Sequence, residues 1–368
     1  MNPAIHRRTI ATIDLRAIQN NLKTVKSHLP AQAELWAVVK ANAYGHGAVP
    51  VAQAVQDLAD GFCVSNLDEA LELRENEITL PVLVLSGIVP ENADLAKAHD
   101  LTLAAPSLTW LEQVCQTGKD LTGLKMHIAV DTGMGRIGVT EASEANQMIA
   151  LMDKYSIKFD GIFTHFATAD EKDLTQFNRQ RAKFDQLLSD LTRQPHYIHS
   201  ANSATGIWHS DKVMSIERLG LGLYGANPSG ETLELPYELE PALSLTSELT
   251  HVKKIRKNDT VGYGATFVAA EEMYVGTLPI GYADGWNRDM QGFSVLIDGK
   301  FCEIIGRVSM DQMVVKLEKN VPIGTKVTLI GENNNKKISV QDIGNWKNTI
   351  AYEVLCGLSD RIYRQYIK

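Results

Sequence analysis

The stretch "AVVKANAYGHG", residues 37–47, joins a valine-rich apolar run to a turn with two glycines, and Lys40 lies at the junction. The apolar run predicts a buried strand, and burying an ammonium group costs several kcal/mol unless it is paired or made neutral. Alone, Lys40 also fits a strand-end lysine that extends its amine to solvent. A lysine that condenses with an aldehyde carries no free ammonium, which offers a second explanation.

Short apolar runs recur as far as residue 223, and helical patterns such as "LDEALELREN" (67–76) separate most of them. Buried strands that alternate with helices are typical of repeated strand–helix units and a parallel sheet. Eight such units predict an α/β fold with a TIM-type (β/α)8 barrel. The eight runs are 35–39, 61–64, 82–85, 101–104, 126–130, 161–164, 197–199 and 216–223.

A helix is predicted ahead of these strands, with Asp14 as its N-cap and Pro30 as its stop. Its apolar residues are three or four positions apart, which is the spacing of an amphipathic helix. They are Leu15, Ile18, Leu22, Val25 and Leu29.

After residue 236 the pattern changes to alternating strands and tight turns. "FSVLIDGKFCEI" (293–304) predicts a hairpin closed by Asp298 and Gly299. "SVQD" from Ser339 resembles a capping box, and "TIAYEVLCGL" (349–358) predicts a short helix. We therefore expect a barrel domain over 14–236 and a mainly β C-terminal domain over 237–368. A strand at 8–13 is a candidate to join the second domain.

Composition narrows the classes of function. The 368 residues are 44% hydrophobic, and 36 basic against 44 acidic residues give a formal charge of -8 without a basic cluster. This balance argues against a nucleic-acid or anionic-membrane partner. The four cysteines lie far apart, which suggests neither a zinc site nor a disulfide framework, and no apolar stretch approaches the ~20 residues of a membrane span. A cytoplasmic protein that acts on small molecules is expected, with no metal.

A phosphate cradle is predicted at the same end of the barrel as Lys40. In TIM barrels the loops after strands 7 and 8 usually hold phosphate. Here "SANSATG" places Ser203 after the seventh strand, and "RLGLGLYG" offers the amides of Gly220 and Leu221 beside the eighth. A lysine for an imine together with a phosphate grip predicts pyridoxal 5'-phosphate as the cofactor.

Several motifs, in order and over nearly the whole chain, resemble the bacterial alanine racemase family. They are "AVVKANAYGHG", "DTGMGRIG", "THFATAD", "ANSA", "ERLGLGLYG", "GYGATF", "GYADGWNR" and "GRVSMDQ". The resemblance implies a barrel that binds pyridoxal 5'-phosphate, a β domain, and a head-to-tail homodimer with active sites shared between subunits. It also implies interconversion of L- and D-alanine, with D-alanine supplied for peptidoglycan.

The resemblance also implies roles for individual residues. Lys40 resembles the cofactor lysine, and the phosphate binders correspond to Tyr44, Ser203, Gly220, Leu221 and Tyr352. On the substrate side, Arg136 is expected near the substrate carboxylate and Met310 and Asp311 along the site wall. Tyr282 and Tyr352 resemble an aromatic gate that leaves room for little more than a methyl group.

Racemisation needs a base on each face of the reacting carbon, because a single base would tend to return the proton to the side it left. Lys40 supplies one base, and Tyr263 of the partner subunit resembles the other. His165 resembles the residue that hydrogen-bonds this tyrosine. Arg218 is expected at the pyridine nitrogen, where its guanidinium can only donate and so keeps the ring nitrogen neutral. Transamination should then be rare.

Two positions depart from the family pattern. Many relatives carry a carbamylated lysine where this chain has Ala129, and a cysteine where it has Ser309. Since the carbamate pairs with the arginine, we expect a small anion such as chloride, or an acidic or amide side chain, to hold Arg136 instead.

Three alternatives remain open at this stage. A racemase of broader or serine specificity has the same motifs. A basic amino-acid decarboxylase normally places an acid where this chain has Arg218. A non-catalytic barrel that only carries the cofactor would not need the β domain with Tyr263 and Met310. Formation of D-alanine from L-alanine would select a racemase over the decarboxylase and the cofactor carrier, and an assay across alanine, serine, lysine and arginine addresses its specificity.

Overall fold

Strand β1 (Ile10–Asp14) and helix α1 (Leu15–Ser27) open the chain in the computed structural model, which describes residues 3–368. Asp14 Oδ1 accepts a hydrogen bond from the N–H of Arg16 at 2.9 Å, so Asp14 caps the helix as predicted. The helix ends ahead of Pro30, which lacks the N–H that a further turn would need.

Parallel strands follow in a single sheet, and the order of pairing is β8-β7-β6-β5-β4-β3-β2-β10-β9. Only Ser200 separates β8 from β9, and β10 pairs with both β2 and β9, so the sheet is a nearly closed barrel. The predicted TIM-type fold is confirmed. The strands are β2 (Glu34–Val38), β3 (Gly61–Val64), β4 (Val82–Val84), β5 (Thr102–Ala105), β6 (Lys125–Ala129), β7 (Lys158–Phe163), β8 (Tyr197–His199), β9 (Ala201–Asn202) and β10 (Ile216–Leu219).

Each predicted run has a barrel strand, but the eighth run was too long. The strand ends at Leu219, and Leu221–Tyr224 forms a 3-10 helix because Gly220 turns the backbone out of the extended region. The helices around the sheet are α2 (Lys40–Tyr44), α3 (Ala48–Val55), α4 (Leu67–Glu75), α5 (Ala93–Ala98), α6 (Leu108–Gln116), α7 (Ala142–Lys154), α8 (Thr175–Ser189) and α9 (Ser203–Trp208).

Segment α2 is a single turn of left-handed backbone. Ala41, Asn42 and Ala43 have φ values of 52°, 53° and 53°, and Tyr44 has a φ of 52°. Two hydrogen bonds of 2.8 Å hold the turn. The N–H of Ala41 donates to Glu69 Oε1, and Asn42 Oδ1 accepts from the N–H of Ala48.

The second compact unit takes in the described chain up to Arg16, Tyr44–Gly47 and Pro241–Lys368, whereas the barrel unit comprises Ala17–Ala43 and Ala48–Glu240. The second unit is mainly β, as predicted. Its strands are β11 (Leu243–Glu248), β12 (His251–Ile255), β13 (Thr260–Val261), β14 (Phe267–Val268), β15 (Met273–Leu278), β16 (Ser294–Ile297), β17 (Lys300–Ile305), β18 (Met313–Leu317), β19 (Lys326–Asn333), β20 (Lys336–Ile338) and β21 (Tyr363–Ile367).

These strands build one large sheet in the order β12-β15-β18-β17-β16-β19-β11-β1-β21, with β20 paired to β19, while β13 and β14 form a separate ribbon. Strands β16 and β17 form the predicted hairpin, and positive φ at both Asp298 (47°) and Gly299 (73°) defines its turn. The helices are α10 (Val340–Trp346) and α11 (Ala351–Cys356), and Ser339 with Asp342 makes the predicted capping box of α10.

An ion-pair cluster anchors the N-terminal segment inside this unit. The carboxylate of Asp284 is fully buried and accepts hydrogen bonds from Arg7 Nη2 at 2.6 Å and from Arg7 Nη1 at 2.9 Å. It also accepts from the N–H of Gly281 at 3.0 Å, and Arg361 Nε lies 3.6 Å away. The cluster fixes the turn that carries Tyr282.

Within residues 3–368, no helix is both long enough and apolar enough to cross a membrane.

Candidate active site

Four predicted site residues lie at the carboxyl ends of barrel strands, the edge where TIM barrels place their chemistry. Lys40 follows β2, His165 follows β7, Ser203 follows β9 and Arg218 lies on β10. Burial lowers the pKa of His165 well below its usual range, and the charges of Arg218, Arg136 and Lys40 lower it further. The structure therefore brings these cations around a neutral imidazole.

Arg218 is buried, and both of its terminal nitrogens donate hydrogen bonds within the barrel. Its Nη1 donates to His199 Nδ1 at 2.6 Å, and its Nη2 donates to Thr164 O at 2.9 Å and to His165 Nδ1 at 3.2 Å. The guanidinium also lies 5.6 Å from the centre of the Phe163 ring. Glu217, its neighbour in sequence, makes no ion pair with it.

These contacts determine how the histidines are protonated. Because a guanidinium has no acceptor atom, Nδ1 of both His165 and His199 must carry the lone pair. A neutral His165 then has its proton on Nε2, and that N–H has no hydrogen-bond partner among residues 3–368. His165 thus presents a free donor in the described chain.

Ser203 lies against the backbone of the loop that carries Gly220 and Leu221. Ser203 Oγ accepts a hydrogen bond from the N–H of Gly220 at 2.8 Å and lies 3.4 Å from the N–H of Gly222. A side chain at Gly222 would come within 3.1 Å of Leu219 and 3.3 Å of Ile207, so both of these side chains would have to shift to admit it. The loop is a buried set of backbone donors without an acidic side chain, which suits an anion.

These residues fit pyridoxal 5'-phosphate. Lys40 offers the amine, the Ser203 loop offers donors for the phosphate, and Arg218 offers a donor for the ring nitrogen. Within residues 3–368, no group of three or more His, Cys, Asp or Glu side chains could hold a metal ion.

Arg136 lies on an exposed loop. Its side chain is exposed and has no ion pair or hydrogen bond among the described residues. A guanidinium in contact with solvent does not need a counter-ion as a buried one does. Ala129 is 1% exposed and packs with Ala104, Phe163 and Ile137. The position of the carbamylated lysine in relatives is therefore filled by an apolar cluster. Asp131 instead orders the loop, since its Oδ1 accepts from the N–H groups of Gly133 and Gly135.

The remaining predicted site residues belong to the β-rich unit. The rings of Tyr44 and Tyr352 lie 5.9 Å apart. The N–H of Tyr282 donates to Ser309 O at 3.1 Å, which places Tyr282 beside the segment that carries Met310. Tyr263 is 70% exposed and Met310 is 52% exposed. The carboxylate of Asp311 is already paired with Arg361 Nη2 at 2.7 Å.

Sequence reasoning missed the polar residues behind Arg218. His199 and His127 are fully buried, and His199 Nε2 lies 2.8 Å from His127 Nδ1. Asp160 lies beyond them, with Oδ2 at 3.7 Å from His127 Nε2. The available signal was a histidine inside each of the apolar runs "KMHIA" and "YIH". Cys63 was missed as well, and burial raises the pKa of its thiol to about 12, which leaves it unreactive.

The comparisons with known proteins agree with this arrangement. Residues 13–228 match the family model "Alanine racemase, N-terminal domain", and residues 242–366 match "Alanine racemase, C-terminal domain". An alanine racemase from Lactococcus lactis subsp. cremoris (strain SK11) is 60% identical over 366 residues, which cover 100% of both chains.

Solved structures give the same result. The crystal structure of alanine racemase from E. faecalis has a TM-score of 0.97 and 44% identity, with 100% of both chains covered. A histidine racemase from Leuconostoc mesenteroides subsp. sake NBRC 102480 has a TM-score of 0.93 and 33% identity, again over 100% of both chains. The fold and site define an isomerase, an amino-acid racemase that depends on pyridoxal 5'-phosphate. The chain belongs to the alanine racemase family.

Proposed function

We propose that this chain interconverts L- and D-alanine in a homodimer, with Lys40 and Tyr263 of the partner subunit as the two bases. The observation that carries the proposal is Arg218, a buried donor held beside neutral His165 at the barrel edge where Lys40 ends. An acidic residue would be expected there for most other chemistry of this cofactor. Its replacement by a pure donor favours racemisation.

The cofactor has a proposed ligand for each of its polar ends. The proposed phosphate ligands are Ser203, Gly220, Leu221, Tyr44 and Tyr352. When bound, pyridoxal 5'-phosphate supplies the electron sink that makes the α-hydrogen of an amino acid acidic. Arg218 donates to the ring nitrogen and leaves it neutral, which limits protonation at the wrong carbon.

Each base has its own face of the substrate in this proposal. The Lys40 amine takes or returns the proton on one face, and the phenol oxygen of Tyr263 of the partner subunit does so on the other. The free Nε2–H of His165 supports the second assignment, because a donor to that oxygen stabilises the phenolate. His165 therefore helps Tyr263 of the partner subunit rather than removing a proton itself.

Exposed apolar side chains in the β-rich unit support a dimer. Tyr263, Met310 and Ile350 are 70%, 52% and 59% exposed, and aromatic residues and methionine are enriched where subunits meet. Met310, Asp311 and Tyr282 are proposed for the wall of the partner's site, with Arg136 as a carboxylate ligand. Because the Asp311 carboxylate is held by Arg361, its contribution is to order the backbone next to Met310.

The cell context is part of the same proposal. None of the four cysteines is in a disulfide within the described residues, and three of them are buried, which suits a reducing compartment such as the cytoplasm. D-Alanine made there is a building block for peptidoglycan.

A second candidate is a racemase with a larger substrate, because the neighbour from Leuconostoc mesenteroides is a histidine racemase with the same fold. Tyr282 and Tyr352 favour a small substrate, since aromatic rings at a gate leave little room beyond a methyl group.

A racemisation assay in both directions tests the proposal. Alanine, serine, histidine, lysine and arginine would be supplied as single enantiomers, and products separated by chiral chromatography. We expect the largest kcat/KM for alanine in both directions. A larger kcat/KM for histidine or a basic amino acid would overturn the assigned substrate.

A further inference from the structure

A column of polar side chains runs through the barrel interior from Arg218. It continues through His199 and His127 to Asp160, which pairs with Lys158 at 2.6 Å. TIM-barrel interiors are usually filled by branched aliphatic side chains, so this column replaces ordinary packing. The two histidines are fully buried, and a buried polar group is retained at a cost unless its hydrogen bonds are made.

The hydrogen bonds of the column all run in one direction. Arg218 Nη1 donates to His199 Nδ1, which leaves the His199 proton on Nε2. Nε2 is 2.8 Å from His127 Nδ1 and therefore donates to it. The His127 proton is then on Nε2, which makes no hydrogen bond within residues 3–368 and lies 3.7 Å from Asp160 Oδ2. Reversing either imidazole would put two donors or two acceptors against each other.

The carboxylate of Asp160, at the far end of the column, favours this direction of the hydrogen bonds. Burial acts to raise the pKa of Asp160, but His127 and Lys158 outweigh it and lower the pKa to about 2. Burial lowers the pKa of His199 and of His127, so both imidazoles are neutral. The charged groups that act on His127 are Asp160, Arg218 and Lys158, and the neutral ring of Tyr197 packs 5.7 Å from it.

Packing fixes the planes of these rings. Phe163 stacks on His199 with ring centres 5.1 Å apart and planes 11° apart, and the same ring lies under Arg218. His199 can neither turn over nor change its tautomer without losing the Arg218 or the His127 bond.

We propose that His127 and Asp160 are positioning residues for Arg218, acting through His199 to hold the guanidinium at one orientation in the barrel mouth. Neither residue touches substrate or cofactor in this role. The catalytic consequence rests on the proposed function, whereas the protonation pattern of the column is a property of this chain alone.

The protonation pattern can be measured without catalysis. Nitrogen-15 NMR of histidine-labelled holoenzyme, from about pH 6 to about pH 9, spans the range in which an ordinary imidazole titrates. We expect His199 and His127 to remain neutral with the proton on Nε2. A proton on Nδ1 of either residue, or ordinary titration near neutral pH, would overturn the proposal.

Variants separate positioning from mere stability. His127→Leu removes the acceptor for His199, whereas the amide oxygen of His127→Asn can still accept. We expect His127→Leu to lower kcat on the order of tenfold to a hundredfold with KM for alanine nearly unchanged, since a misplaced catalytic group acts mainly on the reacting step. His127→Asn should restore part of the loss, and in Asp160→Asn the His199 signals should shift. Asp100→Asn, which removes a carboxylate from an exposed pair with Lys125, is the matched control.

The outcomes distinguish this proposal from the proposed function. Wild-type kcat in His127→Leu, with unchanged His199 signals, would show that the column does not position Arg218. If His127→Leu does not fold, Asp160→Asn decides by the same two readouts. A wild-type protein that racemises no amino acid would contradict the proposed function, while the NMR result would still decide the protonation pattern.

Discussion

His165 Nδ1 accepts a hydrogen bond from Arg218 Nη2 at 3.2 Å, so one guanidinium holds the imidazole while its own place is set by His199. Any change at Arg218 is therefore expected to act on two parts of the reaction. It alters the proposed partner of the cofactor nitrogen, and it releases the histidine proposed to support Tyr263 of the partner subunit.

Arg218→Glu should slow racemisation and raise the share of pyruvate formed by transamination. A carboxylic acid can keep the ring nitrogen protonated, and it also places an acceptor against two Nδ1 atoms that are acceptors in the wild type. Pyruvate formed per racemisation event is the measurement. Arg181→Glu, on the exposed face of α8, controls for the change of charge. If the amount of pyruvate formed per racemisation event is unchanged, Arg218 does not limit transamination through the ring nitrogen.

Tyr263→Phe should keep bound cofactor and lose racemisation by about a hundredfold or more, the usual contribution of a general base. Visible absorbance measures cofactor occupancy, and deuterium uptake from solvent in each direction measures proton transfer. Tyr274→Phe, in strand β15 of the same unit, is the control. A wild-type rate in Tyr263→Phe would mean that another group is the second base.

Mixing Lys40→Ala chains with Tyr263→Phe chains should restore part of the activity. Each mixed dimer would contain one site with both Lys40 and Tyr263 of the partner subunit intact, whereas each parent has none. Activity and subunit exchange would be followed together, with each variant alone as the baseline. No recovery after proven exchange, or full activity in a monomer, would disprove the shared site.

Glu217→Gln should stabilise the protein increasingly as the pH rises. Glu217 is fully buried with both carboxylate oxygens unpartnered among the described residues, and burial raises its pKa well above the usual range. A raised pKa favours the neutral acid in the folded protein. The contribution of neutral Glu217 to the free energy of unfolding is therefore complete below about pH 4.3 and is lost as the pH rises through the folded pKa.

Urea unfolding at several pH values measures this difference. Glu112→Gln, an exposed position on helix α6, should show no such trend. If Glu217→Gln is the less stable protein at every pH, the carboxylate must have a hydrogen-bond partner in solution.

Asp284→Asn should lower the free energy of unfolding by about 3–5 kcal/mol, because it leaves the Arg7 guanidinium without its buried anion. Glu248→Gln removes an exposed partner of Arg8 at 3.9 Å and should change it by less than about 1 kcal/mol. Both values would come from urea titration monitored by tryptophan fluorescence. If both variants lose the same free energy of unfolding, burial of the Asp284 carboxylate does not strengthen its contribution to stability.

The barrel strands were predictable because strands buried on both faces are rich in apolar residues, and some of them, such as Gly61–Val64 and Val82–Val84, are uninterrupted apolar runs. The end of the last strand was not predictable from the sequence. The apolar residues of "LGLGLY" (219–224) fit a strand as well as they fit the 3-10 helix that forms. The motif residues around Lys40 could be named from resemblance, whereas their hydrogen-bond partners could not.

Buried polar side chains were the main feature that the sequence analysis did not predict. Glu217 reads as an exposed acid beside Arg218, and His127 reads as an interruption of an apolar run. Their burial depends on which way each strand faces in the closed sheet, which is a property of the whole barrel. The exposed setting of Arg136 likewise follows from the path of a loop that periodicity does not describe.

The left-handed turn at Ala41–Tyr44 makes the placement of Lys40 a product of completed folding. Left-handed backbone costs roughly 1–2 kcal/mol for each residue that is not glycine, so four such residues store about 4–8 kcal/mol. That is comparable with the whole net stability of a typical domain, about 5–15 kcal/mol. A chain that has not yet joined Glu69 to the turn has no reason to keep this conformation. Lys40 therefore takes its position at the barrel edge only once the barrel around the turn has formed.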